Sequence, residues 1–422
     1  MNLESTSSLY MNIFITFLGI KFFLQTFLLF KQKNTVLEKS HQVPAPFKEK
    51  ISLTEHKKAA DYTIAKCHFA FFSLIYNLVL LLLWTYGGGL SLVDTFARSM
   101  SDQEVYQGLI FFGVFGIIGL VLSLPEDLYN TFVIEEKFGF NKTTVPLFFK
   151  DLAKQTLLSF VLGALLLGLL LKIMISLGDN WWFVGWVFMT AFQLLLVIIY
   201  PTYIAPLFNK FTPLDNADMI VKIEALLKRT GFNHSGLFVM DASKRSSHGN
   251  AYFTGMGKTK RIVFFDNLLN GLTPTEVEAV LAHELGHFKH KHIIKTMVIT
   301  FAMMLAGFFM LGVLYKDNLF YESFNNLSSS YMALTLFMMV IPIFSFYLTP
   351  VMSLFSRKNE YEADSFAAKY SSASELISAL VKLYKENAST LTPDPLYSVF
   401  YHSHPPALLR INHLNKLSKN NK

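Results

Sequence analysis

A single cysteine, Cys67, stands among 422 residues. One thiol excludes an intramolecular disulfide framework and a cysteine-built metal cluster. Charge is scarce as well: Asp, Glu, Lys and Arg make up 16% of the chain against 52% hydrophobic residues, and mean hydropathy is +0.38. Ordinary soluble domains carry about 25% charged residues, so the composition excludes that class and implies an integral membrane protein. Repeats and low-complexity tracts are missing too, which excludes solenoids and linker-joined arrays. The net charge of +7 suits basic loops beside anionic lipid heads, and no nucleic-acid partner is expected.

What the chain has instead is apolar runs long enough to cross about 30 Å of hydrocarbon. They lie at 10–30, 67–90, 105–125, 154–178, 181–205, 293–315 and 331–355. The first lacks a basic lead-in and a small-residue cleavage site, so it reads as a retained span. Lysine distribution sets the orientation. Segment 31–66 carries Lys31, Lys33, Lys39, Lys48, Lys50, Lys57, Lys58 and Lys66, whereas 91–104 sets Arg98 against Asp94, Asp102 and Glu104. The positive-inside rule then puts 31–66, 126–153, 206–292 and the C-terminal segment in the cytoplasm and the N-terminus outside. Lys21 and Lys172 are the few ionisable residues within spans, too few for a transporter's ion path.

Within the large polar insertion, NADMIVKIEALLKRTGF reads as an amphipathic helix ended by Gly231, and SGLFVMDAS and KRIVFFDNLL as strand-like runs. LTPTEVEAVLAHELGH reads as a helix with a marked start: Thr273 at the N-cap, Pro274 in the first turn and Glu276 three residues after the cap. His283 and His287 are therefore four apart on one helix face, able to share one ion. Glu284 lies on the same edge. In this HExxH arrangement zinc lowers the pKa of water and the glutamate removes its proton. By itself the pentapeptide also fits a polar, histidine-rich approach to a membrane.

A catalytic zinc takes three protein ligands and keeps one position open. His290 lies about 10 Å along the helix from His283, too far to share an ion bound at about 2 Å by each ligand. His290 and His292 accordingly read as residues of the membrane interface. The best third ligand follows the last span in SRKNEYEADSFAAKY, where Glu360 and Asp364 are four apart. One carboxylate there would bind the ion and the other orient a ligating histidine.

With these residues in view, the sequence resembles the CAAX prenyl protease 1 family of membrane zinc metalloendopeptidases. Beside HELGH and EYEAD, the resemblance rests on LYNTFVIEEKFGFNKTT at 128–144, SKRSSHGNAYFTG at 243–255, KRIVFFDNLL at 260–269 and DPLYSVFYHSHPP at 394–406. It implies one zinc ion held by His283, His287 and Glu360, with Glu284 activating water and Asp364 supporting the site or supplying a proton. It implies an all-α polytopic fold: about seven transmembrane helices forming a barrel around a large chamber, and a mainly cytoplasmic peptidase part with a small β element. The membrane region with five spans would be 1–205, and the metallopeptidase region with two more spans 206–422.

Two further segments gain meaning from the resemblance. HGNAYF, with His248 and Asn250, suits an edge strand that pairs with extended substrate. HSHPPALLR brings His404 and Arg410, donors for a developing oxyanion. The expected substrate is a peptide or lipidated protein cut near its C-terminus, with an HtpX-like quality-control protease as the alternative enzyme and a metal transporter or sensor as the non-enzyme alternative. An apparently short interval between His287 and Glu360, and no evident retrieval signal, favour a prokaryotic plasma membrane; a eukaryotic chain would reside in the ER membrane.

Overall fold

A computed structural model describes residues 3–254 and 261–420. Among these residues seven helices are long and apolar enough to cross a membrane: Leu9–Lys39, Leu53–Thr85, Glu104–Phe138, Val145–Ser176, Gly178–Leu207, His292–Leu314 and Ser330–Tyr370. The chain is an all-α polytopic membrane protein with one small sheet. Gly255 and Lys260, which end two of the stretches that carry the resemblance, lie outside the described residues.

Each expected run coincides with one of these helices, but their ends differ where polar signals override hydropathy. The second helix begins at Leu53 rather than 67, because Ser52 and Glu55 form a reciprocal capping box ahead of a polar first half. It stops at Thr85 rather than 90, because Gly87, Gly88 and Gly89 follow and Gly88 adopts a left-handed φ of 80°. The last span passes through a 3-10 turn, Phe346–Leu348, into the helix Thr349–Tyr370. A helix that starts among apolar residues thus carries the charged EYEAD segment out of them.

A helix in a solid bundle buries an apolar face against its neighbours. Yet only 6% of the apolar window of Leu53–Thr85, and 6% of that of Gly178–Leu207, is buried. Most residues of these two spans are partly or fully accessible rather than buried against neighbours, so the spans are not the centre of a solid bundle.

The polar part packs on a separate core. Helix Ala217–Thr230 is ended by Gly231 in the left-handed conformation, φ 64°. Four strands, one before this helix and three after it, form a sheet: β1 (Phe211–Pro213), β2 (Gly236–Met240), β3 (Ala251–Thr254) and β4 (Arg261–Phe265), in the order β1-β2-β4-β3. β2 and β4 are parallel, whereas β1 and β3 run antiparallel to their neighbours. Ile223, Leu226, Phe264, Val277, Leu281 and Leu285 bury the inner face of this layer with Phe366 and Leu376. Arg245 ties the layer to the fourth span through a two-pronged pair with Asp151, at 2.8 and 3.1 Å.

Candidate metal centre

The motif helix, Pro274–Lys289, starts with the expected capping box: Thr273 accepts from the Glu276 amide, and Glu276 accepts from the Thr273 amide. This fixes the rotation of the helix, so that Val277, Leu281 and Leu285 face the core while His283 and His287 share another face. That face meets Thr349–Tyr370 at close range. A Cβ built on Gly286 would lie 2.8 Å from Ala363 Cα and 3.0 Å from Phe366 Cβ. Only a glycine lets the backbones come this near.

Three possible ligands converge at the crossing. His283 Nε2 and His287 Nε2 are 3.2 Å apart. Glu360 Oε1 lies 3.2 Å from His287 Nε2, and Oε2 lies 3.5 Å from His283 Nε2. Two nitrogens each about 2.0–2.1 Å from one tetrahedral ion stand roughly 3.3 Å apart, so the spacing fits a shared metal. The donor chemistry fits as well: two imidazoles and a carboxylate suit zinc. Glu360 Oε2 is buried with no well-formed hydrogen bond, His283 Nε2 and Arg410 Nη1 each standing 3.5 Å away, so it retains acceptor capacity for a cation.

Behind this triplet sits a buried support. His283 Nδ1 is 2.9 Å from Asp364 Oδ1. Arg410 grips the same carboxylate with Nε at 3.0 Å and Nη2 at 2.5 Å. Burial and the Arg410 charge oppose protonation of His283, but hydrogen bonds to Asp364 and Glu360 outweigh them and raise its pKa to about 9. The metal-free site therefore favours a second proton on this imidazole, the imidazolium form, at neutral pH.

Comparison with known proteins places the geometry in a family. Residues 32–210 match the model for the CAAX prenyl protease N-terminal region with five membrane helices, and 213–418 match peptidase family M48. The chain is 34% identical to CAAX prenyl protease 1 of Saccharomyces cerevisiae, over 95% of this chain and 94% of that protein. It is 34% identical to the human CAAX prenyl protease 1 homolog, over 94% and 93%. A crystal structure of S. mikatae Ste24p superposes with a TM-score of 0.90 at 34% identity, covering 96% of this chain and 98% of that one.

The chain belongs to the CAAX prenyl protease 1 family. It is therefore a membrane metalloprotease of the M48 class.

Against that family background the remaining residues singled out by sequence divide into two groups. His404 reaches the triplet, its Nε2 3.4 Å from Glu360 Oε1, and 62% of its side chain is exposed. Partial desolvation, against the opposing pull of Glu360, holds its pKa below the ordinary imidazole value. Arg410 is 5% exposed, with Nε and Nη2 on Asp364 and Nη1 3.5 Å from Glu360 Oε2, so it braces the site from behind. Asp364 is itself fully buried between His283 and Arg410.

Asn250 is exposed at the head of β3, a strand paired only on its β4 side among the described residues. Its Oδ1 accepts from the Ala251 amide at 2.8 Å, which leaves the NH2 group to face outward. His248, by contrast, stacks on Phe140 at 4.6 Å, with Nδ1 3.0 Å from Asn387 Oδ1 and Nε2 3.6 Å from Glu135. These contacts hold the segment that leads into β3 against Phe140, Asn387 and Glu135.

Sequence reading puts His292 at the membrane interface, and the structure places it as the first residue of the span His292–Leu314 while adding a contact the sequence does not announce. His292 is only 3% exposed and its Nδ1 lies 3.0 Å from His287 Nδ1. The turn that brings it there is Lys291, at φ 57° and ψ 34°. Gly286 was equally unmarked by sequence, although a small residue inside a motif helix is a signal for close helix approach.

Proposed function

We propose that this chain is a zinc-dependent endopeptidase that hydrolyses a peptide bond near the C-terminus of prenylated CAAX-type or other membrane-associated polypeptides. The observation that carries the reading is the convergence of His283, His287 and Glu360, whose ligand atoms all lie within 4.8 Å of one another, beside a half-exposed Glu284. No hydrogen bond or ion pair among the described residues engages the Glu284 carboxylate. When bound, zinc supplies Lewis-acid polarisation of the scissile carbonyl and lowers the pKa of water.

The chain's own residues do the rest. Glu284 takes the proton from the attacking water and delivers it to the departing amine. Asp364 accepts from His283 Nδ1–H, which leaves the Nε2 lone pair free for the ion, and Arg410 keeps Asp364 charged and aligned. His404, exposed beside Glu360, donates to the carbonyl oxygen as it gains charge. The open edge of β3 pairs with extended substrate, and the Asn250 amide adds a side-chain donor. A cavity of about 450 Å³ lined by Tyr62, Lys66, Tyr384, Tyr397, His402 and His404 reaches the triplet through His404, 3.4 Å from Glu360, and offers room for substrate residues flanking the cut bond.

The lysine-rich segment 31–66 supports a topology with the metal centre and C-terminal segment on the cytoplasmic side and the N-terminus outside. That facing serves a substrate processed at the cytoplasmic surface of a plasma or ER membrane.

Mass spectrometry of products from a farnesylated CAAX peptide and its unprenylated twin tests the reading. Release of an intact tripeptide from the farnesylated peptide alone is the expected result, with no turnover by Glu284→Gln. Equal or scattered cleavage of both peptides would assign the enzyme to membrane-protein quality control. Cleavage by Glu284→Gln at the wild-type rate would overturn the mechanism.

A further inference from the structure

His292 and Glu362 have no place in the chemistry above, yet one is a buried imidazole and the other the middle carboxylate of EYEAD. His287 Nδ1 lies 3.0 Å from His292 Nδ1, and His292 Nε2 lies 3.0 Å from Glu362 Oε2. The four ring nitrogens and the carboxylate form one line running from the candidate ligand atom, His287 Nε2, to the half-exposed Glu362, whose side chain is 32% exposed.

Proton placement along this line is fixed from both ends. A carboxylate only accepts, so His292 Nε2 carries a hydrogen and donates it to Glu362. A neutral His292 then has a bare Nδ1, which can only accept, so His287 Nδ1 must carry the hydrogen between the two rings. That leaves His287 Nε2 with its lone pair directed at His283 and Glu360. In this order every proton has one position, and the order ends with the tautomer a metal ligand requires.

The backbone is bent to achieve it. The motif helix ends at Lys289, and a straight continuation would carry residue 292 away from His287 by five residues' rise, about 7.5 Å along the axis. Lys291 instead turns in the left-handed region, which is unfavourable for an L side chain. The next helix, His292–Leu314, begins with its first side chain folded back beneath His287. His290 stacks on His292 at 5.6 Å and closes the outer side.

We propose that His292, held by Glu362, is a positioning residue that fixes the tautomer and ring orientation of His287 and so retards loss of the metal. The inference rests on the reading of His287 as a ligand, and it makes His287 the counterpart of His283, each imidazole held on its Nδ1 side by a separate partner on or near the 349–370 helix.

The test is the rate of metal release from purified full-length protein to a chromogenic chelator, together with the visible absorption of the cobalt-loaded protein. Removing such a partner costs about 10–100-fold in metal affinity. His292→Leu should release metal about 10–100 times faster and alter the cobalt bands. His292→Asn, whose Oδ1 falls near the place of Nδ1 and still accepts from His287, should recover most of the wild-type rate and spectrum. A purely structural role predicts no such rescue. If the leucine variant does not fold, Glu362→Ala carries the same expectation on a half-exposed side chain.

His283→Ala run alongside separates the two readings. If it abolishes stoichiometric metal binding while His292→Leu and Glu362→Ala release metal at the wild-type rate, the positioning role is wrong and the metal site stands. If His283→Ala and His287→Ala both keep the metal, the site assignment fails and takes the positioning role with it.

Discussion

Gly286→Ala puts the packing argument at risk most directly, because two effects of opposite sign compete. In a helix interior alanine is favoured over glycine by about 1 kcal/mol, so a loosely packed Gly286 would be improved by the change. The added methyl, however, would lie 2.8 Å from Ala363 Cα and 3.1 Å from Ala363 O. Carbon atoms rest at about 3.5–4.0 Å, so the helices must part by roughly 1 Å, since the obstacle is backbone and has no rotamer to yield. Overpacking of this kind costs about 1–3 kcal/mol, which outweighs the helix preference.

The same displacement falls on the site. His287 and Glu360 sit on the two helices that separate, with 3.2 Å between their ligand atoms. A misplacement of about 1 Å can cost around 10²-fold in rate. We therefore expect Gly286→Ala to unfold at lower temperature in detergent, to bind metal more weakly, and to release tripeptide about a hundredfold more slowly. A variant with unchanged or raised thermal stability and wild-type turnover would show that the close approach of these helices is not what assembles the centre.

Other outcomes follow from the same geometry. Because the pKa of His283 is raised to about 9 from 6.5, its pairing stabilises the metal-free fold fully below about pH 6.5 and loses that contribution as pH climbs through 9. Metal must displace this proton, so chelator competition should give a tighter site at pH 8 than at pH 6, and a pH-independent affinity would contradict it. Asp364→Asn removes the nearer of the two carboxylates paired with buried Arg410, leaving only Glu360 at 3.5 Å, a break worth up to about 3–5 kcal/mol; denaturant titration should register a loss approaching that size together with depleted metal, whereas retention of both would refute the support role. Asn250→Ala should raise KM several-fold with a smaller change in kcat, and an unchanged KM would remove Asn250 from substrate binding. Lys291→Gly, which relieves a left-handed residue, should leave metal release unchanged, while Lys291→Val should destabilise the fold by about 1–2 kcal/mol in thermal melts.

Much of this protein is legible along the chain because the relevant signals are local. Run length against hydrocarbon thickness identifies seven spans, and the Thr273 to Glu276 box with the four-residue spacing of His283 and His287 puts two imidazoles on one helix face. Where the local signals mix, the reading slips: the polar start of Leu53–Thr85 hides a helix that its cap nevertheless begins.

Contacts between distant segments belong to the tertiary structure alone. That Glu360 meets His287, 73 positions earlier, depends on a gap that only Gly286 leaves open. Arg410 reaches Asp364 because helix Ala407–Asn420 packs against Thr349–Tyr370, and His292 returns to His287 because Lys291 takes a conformation no periodicity announces. Helical period and apolar length are properties of neighbouring residues, so the sequence carries them on its face. Whether two side chains far apart in the chain come within bonding distance is decided by how whole surfaces interlock, and that is a property of the packed molecule.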